Sequence, residues 1–401
     1  MSIPLDYLVA VNVNINITAV SIQSFQNCLM FGVFPSASKP VSWGTNNYYP
    51  YGSYAEVSAD FASKITGTTL QDNRYKWLLN AAQQFFQQSP TPAVLYISRL
   101  DVGSTTYAAQ LNALTDVFNN FYCFYVADKV VATDLTTADT GWYAALAAQE
   151  SKSNLKIAFF DTDDLDITSG NFLYDVTNGG IGSKRAMLFA HSQNFTPVAG
   201  GTTTPVSLAA AVMGSYFSNL FVGSVGLKQV AWTQLAGTPI DTAVTKSNIG
   251  TAGAQLPNGL LGVNANVYPG FGNSNLALVQ YGFMSASTPS SLYYLDDVVG
   301  ADYIKVTVQA DLVNFIVSRM PTGVPYNDAG IQSLVNVFKK SLQNGVTQNI
   351  IQQFTNSNIS YYNYSQVTDT DKAQRKYPYL SASLQYLGRI QMLTVQVNLG
   401  L

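Results

Sequence analysis

The sequence predicts an α/β chain: a mainly parallel sheet covered by helices on both faces, followed by an α+β segment and flanked by lone strands at the two ends. Three observations predict it. Short, continuously apolar runs alternate with stretches of helical period between residues 54 and 220, the pattern of strands buried on both faces. β-Branched residues alternate with polar ones near both termini, the two-residue period of a strand. The 401 residues exceed what one small core organises, so two domains, or one with a large insertion, are expected.

At the amino end Val9, Val11, Val13, Ile15 and Ile17 share one face of a strand that reaches roughly 30 Å. No hairpin turn follows, and residues 23–34 read as apolar but irregular. The strand therefore needs partners far along the chain or in another chain. Residues 54–61 read as a short helix. Residues 74–88 place Trp77, Leu78, Ala81, Ala82, Phe85 and Phe86 at helical spacing before Pro90. Strands are expected at 93–98, 121–126, 156–160 and 186–191, with helices at 107–118, 138–149 and 207–220. From 231 to 271 Gly, Thr and Asn dominate and periodicity fades. Residues 276–284 and 303–308 read as strands and 312–320 as a helix. An amphipathic helix over 331–342 sets Ile331, Leu334, Val335, Phe338 and Leu342 against Lys339 and Lys340, with Asn327 and Asp328 available to cap its start. Leu393, Val395, Val397 and Leu399 form the last strand, which is equally compatible with pairing to residues 9–17 of the same chain. The division that follows is an N-terminal β-arm (1–24), an α/β domain (25–230), an α+β domain (231–389) and a C-terminal β-arm (390–401).

Charged residues make up 11% of the chain against 47% hydrophobic, where an average soluble domain carries about 25% charged. Few charges with 25 tyrosines and 21 phenylalanines suit a surface buried against other subunits, and equally an adhesive β-rich protein. A net charge of −3 offers no basic stripe for nucleic acid. The start of the chain lacks the basic residues of a secretory signal, and no apolar run approaches the roughly 20 residues of a membrane span. A cytoplasmic site of synthesis is therefore expected, with no membrane insertion. The two cysteines, Cys28 and Cys123, sit in apolar surroundings and read as buried thiols, with a disulfide left open.

Catalytic parts are scarce. The single histidine, His191, would have to serve any Ser–His or Cys–His pair, and no nucleophile elbow accompanies it. The acidic run Asp161-Thr162-Asp163-Asp164-Leu165-Asp166 follows an apolar strand, where parallel sheets place ligands. Asp161 and Asp163 there could serve a metal-dependent α/β hydrolase. Against this, Leu165 stands where an aspartyl phosphotransferase has Thr or Val, and the EF-hand Gly and Glu positions hold Asp166 and Phe172. Gly223-Ser224-Val225-Gly226-Leu227-Lys228 is too short for a phosphate loop. No metal, cofactor or catalytic residue is expected.

Three later stretches are similar to the contractile tail sheath family of myovirus-type phages. They are Tyr294-Leu295-Asp296-Asp297-Val298-Val299-Gly300-Ala301-Asp302-Tyr303-Ile304, Val324-Pro325-Tyr326-Asn327-Asp328-Ala329-Gly330-Ile331, and Thr370-Asp371-Lys372-Ala373-Gln374-Arg375. The second resembles the family's IPYTDAGI with Asn327 for Thr, and the third its DRAAR with Lys372 for the first Arg. Residues 54–61 and 85–99 also look like the family, whereas 200–270 are not matched to it. The resemblance implies a sheath core formed by both chain ends, an outward-facing inserted α/β domain, and terminal arms that add strands to neighbouring subunits. Implied partners are further copies in stacked rings, a tail tube protein, and baseplate and tail terminator proteins. It also implies a place in the virion tail, after assembly in the host cytoplasm. A bacterial contractile injection system is the alternative setting. Lys339, Lys340, Lys372, Arg375, Lys376 and Arg389 are the candidate tube-facing charges.

Overall fold

The computed structural model describes residues 25–388, except 102–105, 138–139, 153, 169, 179–181, 196–203, 223–225, 251–258, 272–275, 278, 280–281, 283, 288–292 and 320–321. The strands expected at 9–17 and 393–399 lie outside the described residues.

Strand β1 (Cys28–Val33) is an inner strand of a seven-stranded sheet. On one side it pairs in parallel with β3 (Leu95–Leu100), which in turn holds the antiparallel edge strand β2 (Tyr48–Tyr51). On the other side β4 (Cys123–Ala127), β5 (Ile157–Thr162), β6 (Ala186–Ala190) and a two-residue strand, Ala265–Asn266, follow in parallel. Every residue of β1, β4, β5 and β6 is buried. Two hidden faces remove any need for polar alternation, so these strands read as continuous apolar runs.

Successive side chains feed opposite cores. Met30, Tyr125, Phe159 and Phe189 belong to the face covered by α1 (Tyr54–Phe61), α2 (Leu70–Phe86) and α7 (Leu208–Ser218). Leu29, Phe31, Phe124 and Phe160 belong to the other, covered by α3 (Tyr107–Val117), α4 (Ala132–Thr136), α5 (Trp142–Ser151) and α6 (Phe172–Asn178). Trp142 is fully buried there, with its ring among Phe31, Phe124, Phe160 and Tyr107. On the first face α7 approaches α2 so closely that a Cβ on Gly214 would fall 2.5 Å from the Phe85 carbonyl oxygen.

Helix starts follow local hydrogen bonding. Thr69 and Asp72 form a reciprocal capping box that carries α2 back to Leu70, ahead of its expected start. Asn327 Oδ1 accepts the Gly330 N–H at 2.9 Å to open α10 (Asp328–Thr347), as the sequence indicated. The remaining helices are α8 (Lys246–Ile249), α9 (Leu295–Ser318) and α11 (Asp369–Gln374).

Two expectations are corrected. Residues 28–33 are not irregular but form an inner strand of the sheet. Residues 303–308 are not a strand but the middle of α9. Ile304, Val306 and Val308 do alternate there, yet Asp302, Lys305 and Thr307 are buried as well, so burial all round the helix erases the helical period. Among the described residues of the strand expected at 276–284, Leu276–Ala277 pair as one. The strand at 265–266 is part of the main sheet, and one apolar cluster runs from Phe25 through α9 and α10 to Ile359.

Candidate functional site

The sequence suspects resolve into buried connections. His191, just past β6, accepts the Gln193 N–H on Nδ1 at 3.3 Å, so its proton sits on Nε2 and is donated to the Pro239 carbonyl at 2.8 Å. Burial lowers its pKa against the opposing Pro239 carbonyl and Asp241 carboxylate, keeping it neutral. Ser192 and Asp241 complete a Ser–His–Asp set that sequence spacing does not reveal. The Ser192 hydroxyl donates to Asp241 at 2.7 Å instead of to His191. Asp241 also accepts the backbone N–H groups of Ser192 and Ala243. In a catalytic triad the imidazole stands between hydroxyl and carboxylate; here the carboxylate takes the hydroxyl directly and ties two loops.

The acidic run diverges. Asp161, at the end of β5, points inward and accepts the Ala209 N–H at 2.8 Å at the start of α7. Burial pushes its carboxyl up to about 8, opposed by that N–H and by the Tyr125 hydroxyl. Asp163 turns outward, 3.7 Å from Lys129. Asp164 and Asp166 accept the N–H groups two residues on, at 2.8 Å each, as Asx turns do. Among the described residues no three His, Cys, Asp or Glu side chains gather as a metal site. Lys228 donates to the Ser215 carbonyl at 2.8 Å near the end of α7, in place of any phosphate-loop role.

The strongest polar site was missed at the sequence level. Asp302, on α9, receives Arg185 Nη1 at 2.5 Å, Arg185 Nη2 at 3.0 Å and the Tyr122 hydroxyl at 2.6 Å. Both charged side chains are essentially excluded from solvent. Burial opposes the guanidinium charge, but Asp302 outweighs it and Arg185 is held above its ordinary range. Burial first, then Asp302, raises Tyr122 well above its own, so it stays a donor. Arg185 precedes β6 and Tyr122 precedes β4, so the cluster bolts one end of the sheet to α9. No spacing rule links residues 117 and 180 positions apart.

The candidate charges fall into two groups. Lys339 and Lys340 lie on α10, eleven and twelve residues past Asp328, about 17 Å along its axis. Lys372, Arg375 and Lys376 lie beside the start of α10, where Tyr326 donates to the Lys376 carbonyl at 2.8 Å and Tyr364 N–H donates to Asp328 at 2.6 Å. Arg375 ends α11 in the left-handed region. Lys372 sits over the Tyr364 ring and 3.3 Å from Asp369. Around them Tyr326, Tyr362, Tyr364, Tyr377 and Tyr379 form a chain of ring contacts at the surface, with Tyr362 and Tyr379 stacked at 4.4 Å. Arg389 and the arm residues Val9, Val11, Val13, Ile15, Ile17, Leu393, Val395, Val397 and Leu399 lie outside the described residues.

The chain matches no protein-family profile. It also matches none of the curated proteins. Among solved structures it is similar in fold to a chain of the anti-feeding prophage (AFP) baseplate, determined by cryo-EM with six-fold symmetrisation. The TM-score is 0.64 at 14% identity, and the likeness covers 100% of both chains.

Proposed function

We propose that this chain is a structural subunit of a contractile tail sheath, which polymerises around a tail tube and contracts to drive the tube through a host envelope. The observation that carries this reading is the end-to-end likeness of fold to a chain from a prophage baseplate. The sheath-like stretches at 54–61, 294–304, 324–331 and 370–375 add to it. A surface with few charges and a linked group of tyrosines suits burial against other subunits. In this reading residues 25–230 face outward and 231–389 belong to the inner core. Residues 9–17 and 393–399 add strands to neighbouring subunits, where unpaired backbone groups supply the affinity. Its partners are further copies in stacked rings, the tube protein, and baseplate and terminator proteins. The assembly is built in the host cytoplasm and ends in the virion tail, and no catalytic role is assigned. A sheath of a bacterial contractile injection system would have the same physical design.

Electron microscopy of the purified chain is expected to show long hollow tubes, and deletion of the residues before Val20 to leave folded subunits that form none. Isolated particles from the intact chain, or tubes from the truncated one, would sink the reading. A second measurement addresses the tube contact. Reversing the charges of Lys339, Lys340, Lys372, Arg375, Lys376 and Arg389 is expected to weaken co-sedimentation with the tube at low salt and to erase its salt dependence. Unchanged binding would dispose of that contact.

A further inference from the structure

Cys28 and Cys123 are the first residues of β1 and β4, and they stand opposite each other in register. Their Sγ atoms are 3.2 Å apart, with the Cys123 thiol donating to the Cys28 sulfur. Adjacent strands hold their Cα atoms roughly 4.8 Å apart, inside the span of about 4.4–6.8 Å that a disulfide bridges. We propose that Cys28 and Cys123 are a redox-responsive pair, closing to an intrachain disulfide between β1 and β4 in oxidising surroundings and reopening in reducing ones.

Two buried thiols in contact differ from the usual isolated core cysteine, whose sulfur meets only hydrocarbon. Here each sulfur already faces its reaction partner, so closure needs a shortening of about 1 Å and no strand movement. The pair also lies at the amino-terminal edge of the sheet, with Gln26, Asn119 and Asn120 exposed immediately around it. Hydrogen peroxide suffices as the oxidant. The Cys123 sulfur attacks the O–O bond and takes one hydroxyl to become a sulfenic acid, while its thiol proton leaves with the other oxygen as water. The Cys28 sulfur then attacks the sulfenic sulfur, forming the S–S bond and releasing a second water that carries the Cys28 proton. Two thiols lose two electrons and two protons, and the peroxide is reduced to two waters. Burial holds the Cys123 thiol well above its ordinary pKa, which makes the first step slow, because the thiolate is the better nucleophile.

The test uses the full chain. Folded protein is treated with hydrogen peroxide, quenched in acid, unfolded, alkylated with N-ethylmaleimide and weighed intact. The expected product is 2 Da lighter, takes up no maleimide, yields a peptide linking Cys28 to Cys123, and regains two reactive thiols after dithiothreitol. The bond would close a loop of 95 residues, and its thermal midpoint should rise by about 5 °C over the reduced form. Cys28→Ser should retain one alkylatable or sulfenylated cysteine and gain no thermal shift. Two maleimides on peroxide-treated protein, under conditions that oxidise an unfolded control, would overturn the proposal. So would a disulfide-linked dimer, or a sulfinic product without the internal bond.

Discussion

Replacing Asp302 by alanine is expected to destabilise the fold by about 3–5 kcal/mol, measured by urea unfolding at neutral pH. The cost lies less in the lost attraction than in what remains. Arg185 keeps its charge with its two donors to Asp302 unmet, and the Tyr122 hydroxyl loses its acceptor. Neither group can turn to water from its buried site. Glu150, 3.8 Å from Arg185 and more exposed, is too far to replace a bidentate partner. Removing the whole unit should be milder. Arg185→Met with Asp302→Leu exchanges a desolvated ion pair for apolar packing, and most of the loss should return. An Asp302→Ala variant within about 1 kcal/mol of wild type would show that the cluster does not hold α9 to the sheet.

The same cluster marks the limit of what was legible in the sequence. Strands β3 to β6 were visible because double burial makes apolar runs, and α10 because its exposed face keeps Lys339 and Lys340 opposite Phe338 and Leu342. Strand β1 was not visible. Its sequence Cys28-Leu29-Met30-Phe31-Gly32-Val33 contains a glycine and runs on into Phe34, so it merges with the apolar stretch around it. That glycine is explained only by the helix above it: a Cβ on Gly32 would come within 2.9 Å of Leu78 and of the Phe34 ring. Helix α9 was read in part as a strand because partners from distant segments bury it on every side. The suspected Asp161 and His191 were located correctly in the chain, but their partners, Ala209, Pro239 and Asp241, come from segments whose approach no local pattern encodes. Chemistry was thus visible as residue type, and its meaning came only from the tertiary partners.

Strand β5 carries a buried ionisable group at each end, and together they are expected to give a stability trough near pH 7–8. At its far end Asp161 has its carboxyl pushed up to about 8 by burial, whereas an unfolded aspartate titrates near 3.9. Between roughly pH 4 and 8 the folded state holds a proton the unfolded state has lost, so this contribution falls as pH rises, by about 1.4 kcal/mol per unit. Just before β5 Lys156 is buried with its amine on the Phe121 carbonyl and ring. Burial lowers it to about 7 against the opposing Cys123, from about 10.4 when unfolded. Between roughly pH 7 and 10 the unfolded state binds the extra proton, so this contribution rises with pH by a similar slope. The two slopes cancel between 7 and 8, where the protein should be least stable on their account. Urea unfolding from pH 5 to 10 should show both limbs. Asp161→Asn keeps an acceptor for the Ala209 N–H and should flatten only the acidic limb, whereas Lys156→Met should flatten only the alkaline one. An Asp161→Asn variant with the wild-type slope between pH 5 and 7 would mean that Asp161 is ionised in the fold. The N-terminus of α7 would then have outweighed the cost of burial, and the trough would vanish with it.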